Sequence, residues 1–130
     1  MDTFPLVAEQ IADGQRLVDR LVQGGFPVTA ACWAMTSYDG QWYLYLVSPA
    51  VDAEGPEPYG RVLPVVHELE QPTFGVEPLQ VKLIGPSDPL GRGLTELQKQ
   101  SRTKKPTRYP GGRIGDVTVE GAYIYPAPGA

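Results

Sequence analysis

The chain is poor in the residues that most often carry chemistry, with one cysteine (Cys32) and one histidine (His67) among 130 residues. A single cysteine excludes an internal disulfide and fits a reducing compartment. One histidine and one cysteine on different elements cannot supply the usual ligand set of a zinc site, so no metal and no cofactor is expected. There is no run of 18 or more apolar residues, which argues against a membrane span. The start, Met1-Asp2-Thr3-Phe4-Pro5, has neither the basic nor the apolar stretch of a secretory signal, and a cytoplasmic protein is expected. Phosphate-binding glycine motifs are missing too. Gly91-Arg92-Gly93 lacks the third glycine of a dinucleotide fingerprint, and Tyr109-Pro110-Gly111-Gly112-Arg113 is not followed by Lys-Ser/Thr.

Glycine and proline, by contrast, are abundant at 15 and 14 residues. Together they approach the roughly 25–30% at which low-complexity chains begin. The 42% hydrophobic fraction, however, argues for a folded core in one domain. Charge is abundant but uneven. Residues 1–96 carry five basic and thirteen acidic side chains, a balance of −8. Residues 97–115 carry six basic side chains and no acidic one. Such a stretch attracts phosphate or an acidic partner, or docks on the protein's own acidic surface.

Apolar spacing predicts a helix over 5–23, with Val7, Ile11, Leu17, Val18, Leu21 and Val22 on its buried side and Gly24-Gly25 as its stop. Two strands follow, Val28–Ser37 and Gln41–Ser48, read as a hairpin around Asp39-Gly40. With those two residues as the loop, Trp33 pairs with Leu46 and Met35 with Leu44, on an apolar face. Cys32, Ala34, Tyr43 and Tyr45 share the other face. A loop over 49–57 leads to a second helix at about 58–70, which Pro64 should kink or divide. A strand at Leu79–Ile84 comes next, then a helix from Asp88-Pro89 to about Ser101. A turn-rich basic loop spans 102–115, and a last strand, Val117–Tyr125, has Gly121 as a bulge. The predicted order is α-β-β-α-β-α-β. This is a single α+β domain over 1–125, with a four-stranded mixed sheet and helices mainly on one face, and a flexible tail at 126–130.

The segments GFPVTAA at 25–31, LVSPAVDAEGP at 46–56, IGPSDPL at 84–90 and Ala122-Tyr123-Ile124-Tyr125 resemble a family of small uncharacterised bacterial proteins. The likeness covers roughly residues 9–125. It implies a bacterial, soluble, single-domain protein and transfers no functional residue.

The case for an enzyme is weak, and no catalytic residue is assigned. His67, beside the apolar stripe of the second helix, reads as a half-buried structural residue or else a general base or proton switch. Cys32 reads as a buried thiol. Asp52, Glu54 and Glu57, and Glu68 with Glu70, read as solvated charge. The remaining constellation is aromatic. With one sheet face covered, the open face would show Tyr43, Tyr45, Lys82, Tyr123 and Tyr125, a surface suited to a protein partner or to self-association as a homodimer. The same tyrosines also fit an ordinary sheet surface, or a platform on which nucleic-acid bases stack. Lys99, Arg102, Lys104, Lys105, Arg108 and Arg113 are the candidates for binding an anion or nucleic acid. Three functions follow: a non-enzymatic interaction module, a nucleic-acid-binding protein using the basic loop 99–113, or a small toxin-like RNase using His67, Arg108 or Arg113.

Overall fold

Residues 8–35, 41–54, 57–69, 80–101, 107–109 and 111–126 are described by a computed structural model. Helix α1, Ala8–Gln23, buries Gly14, Leu17, Val18 and Leu21, whereas Val22 turns outward at 38% exposure. Val7 lies outside the described residues. The helix ends as its Gly-Gly pair predicts: Gly25 adopts φ 90°, its N–H donates to Val22 O, and Phe26 N–H reaches back to Leu21 O. That double bond pattern is a Schellman stop, and Phe26 packs with Leu21 in the core beneath it.

Strands β1 (Ala30–Met35) and β2 (Trp42–Val47) form the expected antiparallel pair. The register differs by two residues, since Trp33 faces Leu44 and Met35 faces Trp42. Strand faces repeat every two residues, so a slip of two keeps every side chain on its own face and leaves the apolar pattern unchanged. The turn at Asp39-Gly40 lies outside the described residues. Helix α2, Pro49–Glu54, occupies the stretch expected to be loop. Ser48 initiates it, its Oγ accepting the Ala50 N–H at 3.2 Å, with Pro49 at the first helical position. Helix α3, Tyr59–Leu69, runs through Pro64 as one element rather than two. Pro64 sits mid-helix on the exposed side, and its missing N–H leaves the carbonyl of Gly60, itself exposed, without that bond.

Strand β3, Val81–Ile84, pairs parallel to β2, and its Leu83 N–H donates to the Tyr59 hydroxyl at 2.9 Å. That bond satisfies backbone at a sheet edge. Helix α4, Pro89–Ser101, starts at Asp88, whose carboxylate accepts the Leu90 N–H at 3.0 Å. The stretch read as basic loop contributes two short strands instead, β4 (Thr107–Tyr109) and β5 (Gly112–Ile114). The last strand divides at Glu120 into β6 (Val117–Val119) and β7 (Gly121–Ile124), because Glu120 N–H bonds Met35 O at the point where the chain changes sheet.

The result is an α+β fold on a mixed sheet. The four expected strands lie in the order β3-β2-β1-β7, with β4 added as a fifth at the edge, and β5-β6 form a separate hairpin. Helices α1, α2 and α3 pack on one face over Ala31, Trp33, Leu44, Leu46, Val81 and Leu83. Helix α4 and the β5-β6 hairpin cover the other, over Ala30, Cys32, Ala34, Val47, Ala122 and Ile124. Helices are thus mainly on one face, yet both faces carry a core.

Candidate interaction face

The two cores decide where each tyrosine points. In the β1–β7 pairing Tyr123 sits opposite Trp33, and in β1–β2 Tyr43 sits opposite Ala34 and Tyr45 opposite Cys32. Cross-strand partners share a face. The five residues expected on one open surface are therefore split. Tyr43, Tyr45 and Lys82 lie on the α4 side, and Tyr123 and Tyr125 on the α1 side. The split follows because both sheet faces are covered: Ala122 and Ile124, which alternate with Tyr123 along β7, face the second core.

Tyr125 is not a surface residue at all, with 2% exposure. Its hydroxyl accepts a hydrogen bond from Trp33 Nε1 at 2.9 Å and donates to Ile11 O at 2.6 Å. Burial pushes its phenol pKa upward, opposed in part by the Trp33 hydrogen bond. Tyr123, half-buried, meets Tyr125 edge-to-face at 5.3 Å and carries the Arg108 guanidinium over its ring at 5.1 Å.

The patch that remains is compact. Tyr43 and Tyr45 are half-buried and meet edge-to-face, with centroids 6.4 Å apart and planes at 67°. Lys82 is exposed and holds its Nζ 4.8 Å from the Tyr43 centroid, within cation–π range. All three stand on paired strands, Tyr45 directly beside Lys82 in the β2–β3 register. Tyr45 also packs against the second core, which fixes its ring from below.

Of the six basic candidates, Arg108 and Arg113 are exposed on β4 and β5, and Arg113 lies 3.9 Å from Asp116. Lys99 falls in α4. Arg102, Lys104 and Lys105 lie outside the described residues. His67 is exposed on α3 rather than half-buried. The three RNase candidates stand on three separate elements: α3, the sheet edge and the small hairpin. Asp52 is tied to the loop after β3, accepting from Ser87 Oγ at 2.8 Å and Ser87 N–H at 3.3 Å. Among the described residues, no group of three His, Cys, Asp or Glu is placed to hold a metal ion, and no helix is long and apolar enough to cross a membrane.

Cys32 is fully buried in the second core, and burial pushes its thiol from 9.0 up to about 12. Native protein is expected to resist iodoacetamide at mildly alkaline pH and to react stoichiometrically once unfolded in urea, as read by intact mass. The sign of the linkage follows. The protonated thiol is favoured in the fold, so its stabilising share is complete below 9.0 and is lost as pH rises towards about 12.

Comparison with family models, curated proteins and solved structures finds no match.

Proposed function

We propose that the chain is a non-enzymatic protein-interaction module whose contact patch is Tyr43, Tyr45 and Lys82, in a bacterial cytoplasmic setting. The supporting observation is the edge-to-face tyrosine pair with an ammonium over one ring, mounted on paired strands. Rigid tyrosines give contact area at little entropic cost, and they are enriched where proteins meet. Lys82 selects a partner with acidic surface. A second copy qualifies, since residues 1–96 carry a balance of −8.

Light scattering on the purified chain, alone and with partners co-isolated from the native host, tests this. Tyr43→Lys and Lys82→Glu should weaken association about 30-fold, the scale of an interfacial hot spot. Their melting temperatures should stay within a few degrees of the parent. A monomer with no partner sensitive to Tyr43 would remove the proposal.

The second reading is nucleic-acid binding through 99–113, favoured by the six cations of that stretch and the exposure of Arg108 and Arg113. It requires retention on nucleic acid that falls as salt rises and is lost in an Arg108→Glu/Arg113→Glu double variant.

A further inference from the structure

Away from the tyrosine patch, α4 and the β5–β6 turn leave a cleft of about 260 Å³ between them. That is below the roughly 300 Å³ at which sites for drug-sized ligands begin, so it suits a small molecule. Two of its lining residues are glycines that meet backbone to backbone. A β-carbon at Gly115 would lie 3.0 Å from Gly93 Cα, and one at Gly93 would lie 2.9 Å from Gly115 N. Neither contributes a side chain, and half-buried Leu97 supplies an apolar wall beside them.

Charges of both signs line the same cleft. Arg92 and Glu96 stand one turn apart on α4, and Asp116 comes from the β5–β6 turn. One helical turn separates the two α4 positions by about 6 Å along the axis. Arg92 is anchored by one of its N–H donors, Nη2 donating to Ser87 O at 3.1 Å. Asp116 Oδ1 lies 3.9 Å from Arg113 Nη2, so its charge is partly balanced and Glu96 is the principal acid of the cleft. A simple anion entering here meets Glu96 and Asp116, and a simple cation meets Arg92. A ligand bearing both signs, spaced like the two helix positions, gains at each end.

We propose that the cleft between α4 and the β5–β6 turn binds a small ω-amino acid as its zwitterion, with the carboxylate on Arg92, the ammonium on Glu96 and the methylene chain along Leu97 and the glycine backbone. A guanidinium is the side chain best matched to a planar carboxylate. Three methylenes hold an ammonium and a carboxylate about 5 Å apart, close to the spacing of the two helix positions. In an α-amino acid a single carbon separates the two charges, too short to reach both residues. Arg92, Glu96 and Asp116 are exposed, and exposed charges are worth little in water, so the binding is weak, in the millimolar range. The site shares no residue with the Tyr43, Tyr45 and Lys82 patch and does not depend on that reading.

The test is an NMR titration of the full chain at neutral pH with γ-aminobutyrate, butyrate, butylamine and glycine. γ-Aminobutyrate should give saturable amide shifts at Gly93, Leu97 and Gly115, and the other three should bind several-fold more weakly. Arg92→Gln and Glu96→Gln should each weaken γ-aminobutyrate binding about fivefold, the scale of one exposed charge pair. The Arg92→Glu/Glu96→Arg double variant, which reverses the two charges, should restore most of it with the ligand turned end for end. Both positions are exposed, so the melting temperatures of the variants should stay near that of the parent. The comparison of the four ligands on the parent chain stands whether or not a variant folds. Butyrate, butylamine or glycine binding as tightly as γ-aminobutyrate, indifference to either single substitution, no recovery in the charge-reversed variant, or no saturable shifts at all would each overturn the proposal.

Discussion

Gly14→Ala should destabilise the fold by about 2–3 kcal/mol, although alanine is the better helix former by about 1 kcal/mol. A β-carbon at Gly14 collides with the Tyr125 hydroxyl, and would lie 2.9 Å from Trp33 Nε1 and 3.1 Å from Tyr125 Cζ. Overpacking of this kind costs roughly 1–3 kcal/mol, sometimes more. It also pushes apart a buried hydrogen bond whose Trp33 donor then lacks an acceptor, a further loss of about 1–3 kcal/mol.

The coupling is the sharper part of the prediction. Tyr125→Phe alone leaves Trp33 Nε1 without its acceptor and should cost about 2 kcal/mol. It also removes the oxygen with which the new methyl collides. In the Y125F background Gly14→Ala should therefore be far less harmful, with an interaction energy of about 1–2 kcal/mol between the two sites. Urea denaturation of the four proteins, with m unchanged, measures this. Additive losses would mean that α1 is not seated on Tyr125. Tyr125 matters from both directions, because its backbone carbonyl also accepts from Gln98 Nε2 of α4 at 2.8 Å. One residue near the end of the chain thus ties together the helices on the two faces.

This tie shows where sequence reasoning stops. Local signals were legible: the Gly-Gly stop of α1, the paired strands around Trp33, the Asp88 cap, and the strand ending at Ile84. Each depends on residues within a few positions of one another. The hairpin register was not legible, because a slip of two residues leaves the alternation intact. Helix α2 was obscured by its Pro49 and acidic residues, although Ser48-Pro49 is a helix start in its own right. Strands β4 and β5 have three residues each, too few for a period to show. The tyrosine set failed for a different reason. Alternation assigns Tyr123 and Tyr125 to one side of their strand, and only the pairing of β7 with β1 says which core that side meets. Trp33 and Tyr125 are 92 positions apart. Arg20 and Glu68, paired at 2.7 Å, likewise come together only through the packing of α1 on α3.

Gly91 and Gly93 are poor helix formers inside α4, and the structure makes them its docking points. A β-carbon at Gly91 collides with Gly85 O, and one at Gly93 would lie 2.9 Å from Gly115 N and from Ile114 C and O. These neighbours are backbone atoms, in the loop that follows β3, at the end of β5 and in the turn after it, and no rotamer change moves them aside. Gly91→Ala and Gly93→Ala should each cost about 2–3 kcal/mol, overpacking outweighing the helix-propensity gain of about 1 kcal/mol. The pair should approach 4–5 kcal/mol, a large part of the roughly 5–15 kcal/mol that holds a domain together. Leu90 and Leu94 would then lift from Cys32, Ala34 and Ile124, and the thiol of Cys32 should begin to react with iodoacetamide under native conditions. Gly60→Ala supplies the control of opposite sign: nothing lies within 4 Å of its β-carbon position, and it should be neutral or stabilise by up to about 1 kcal/mol. If Gly91→Ala and Gly93→Ala behave like Gly60→Ala in urea denaturation, α4 does not close on the second face through these contacts. Loss of stability together with newly reactive Cys32 would establish that it does.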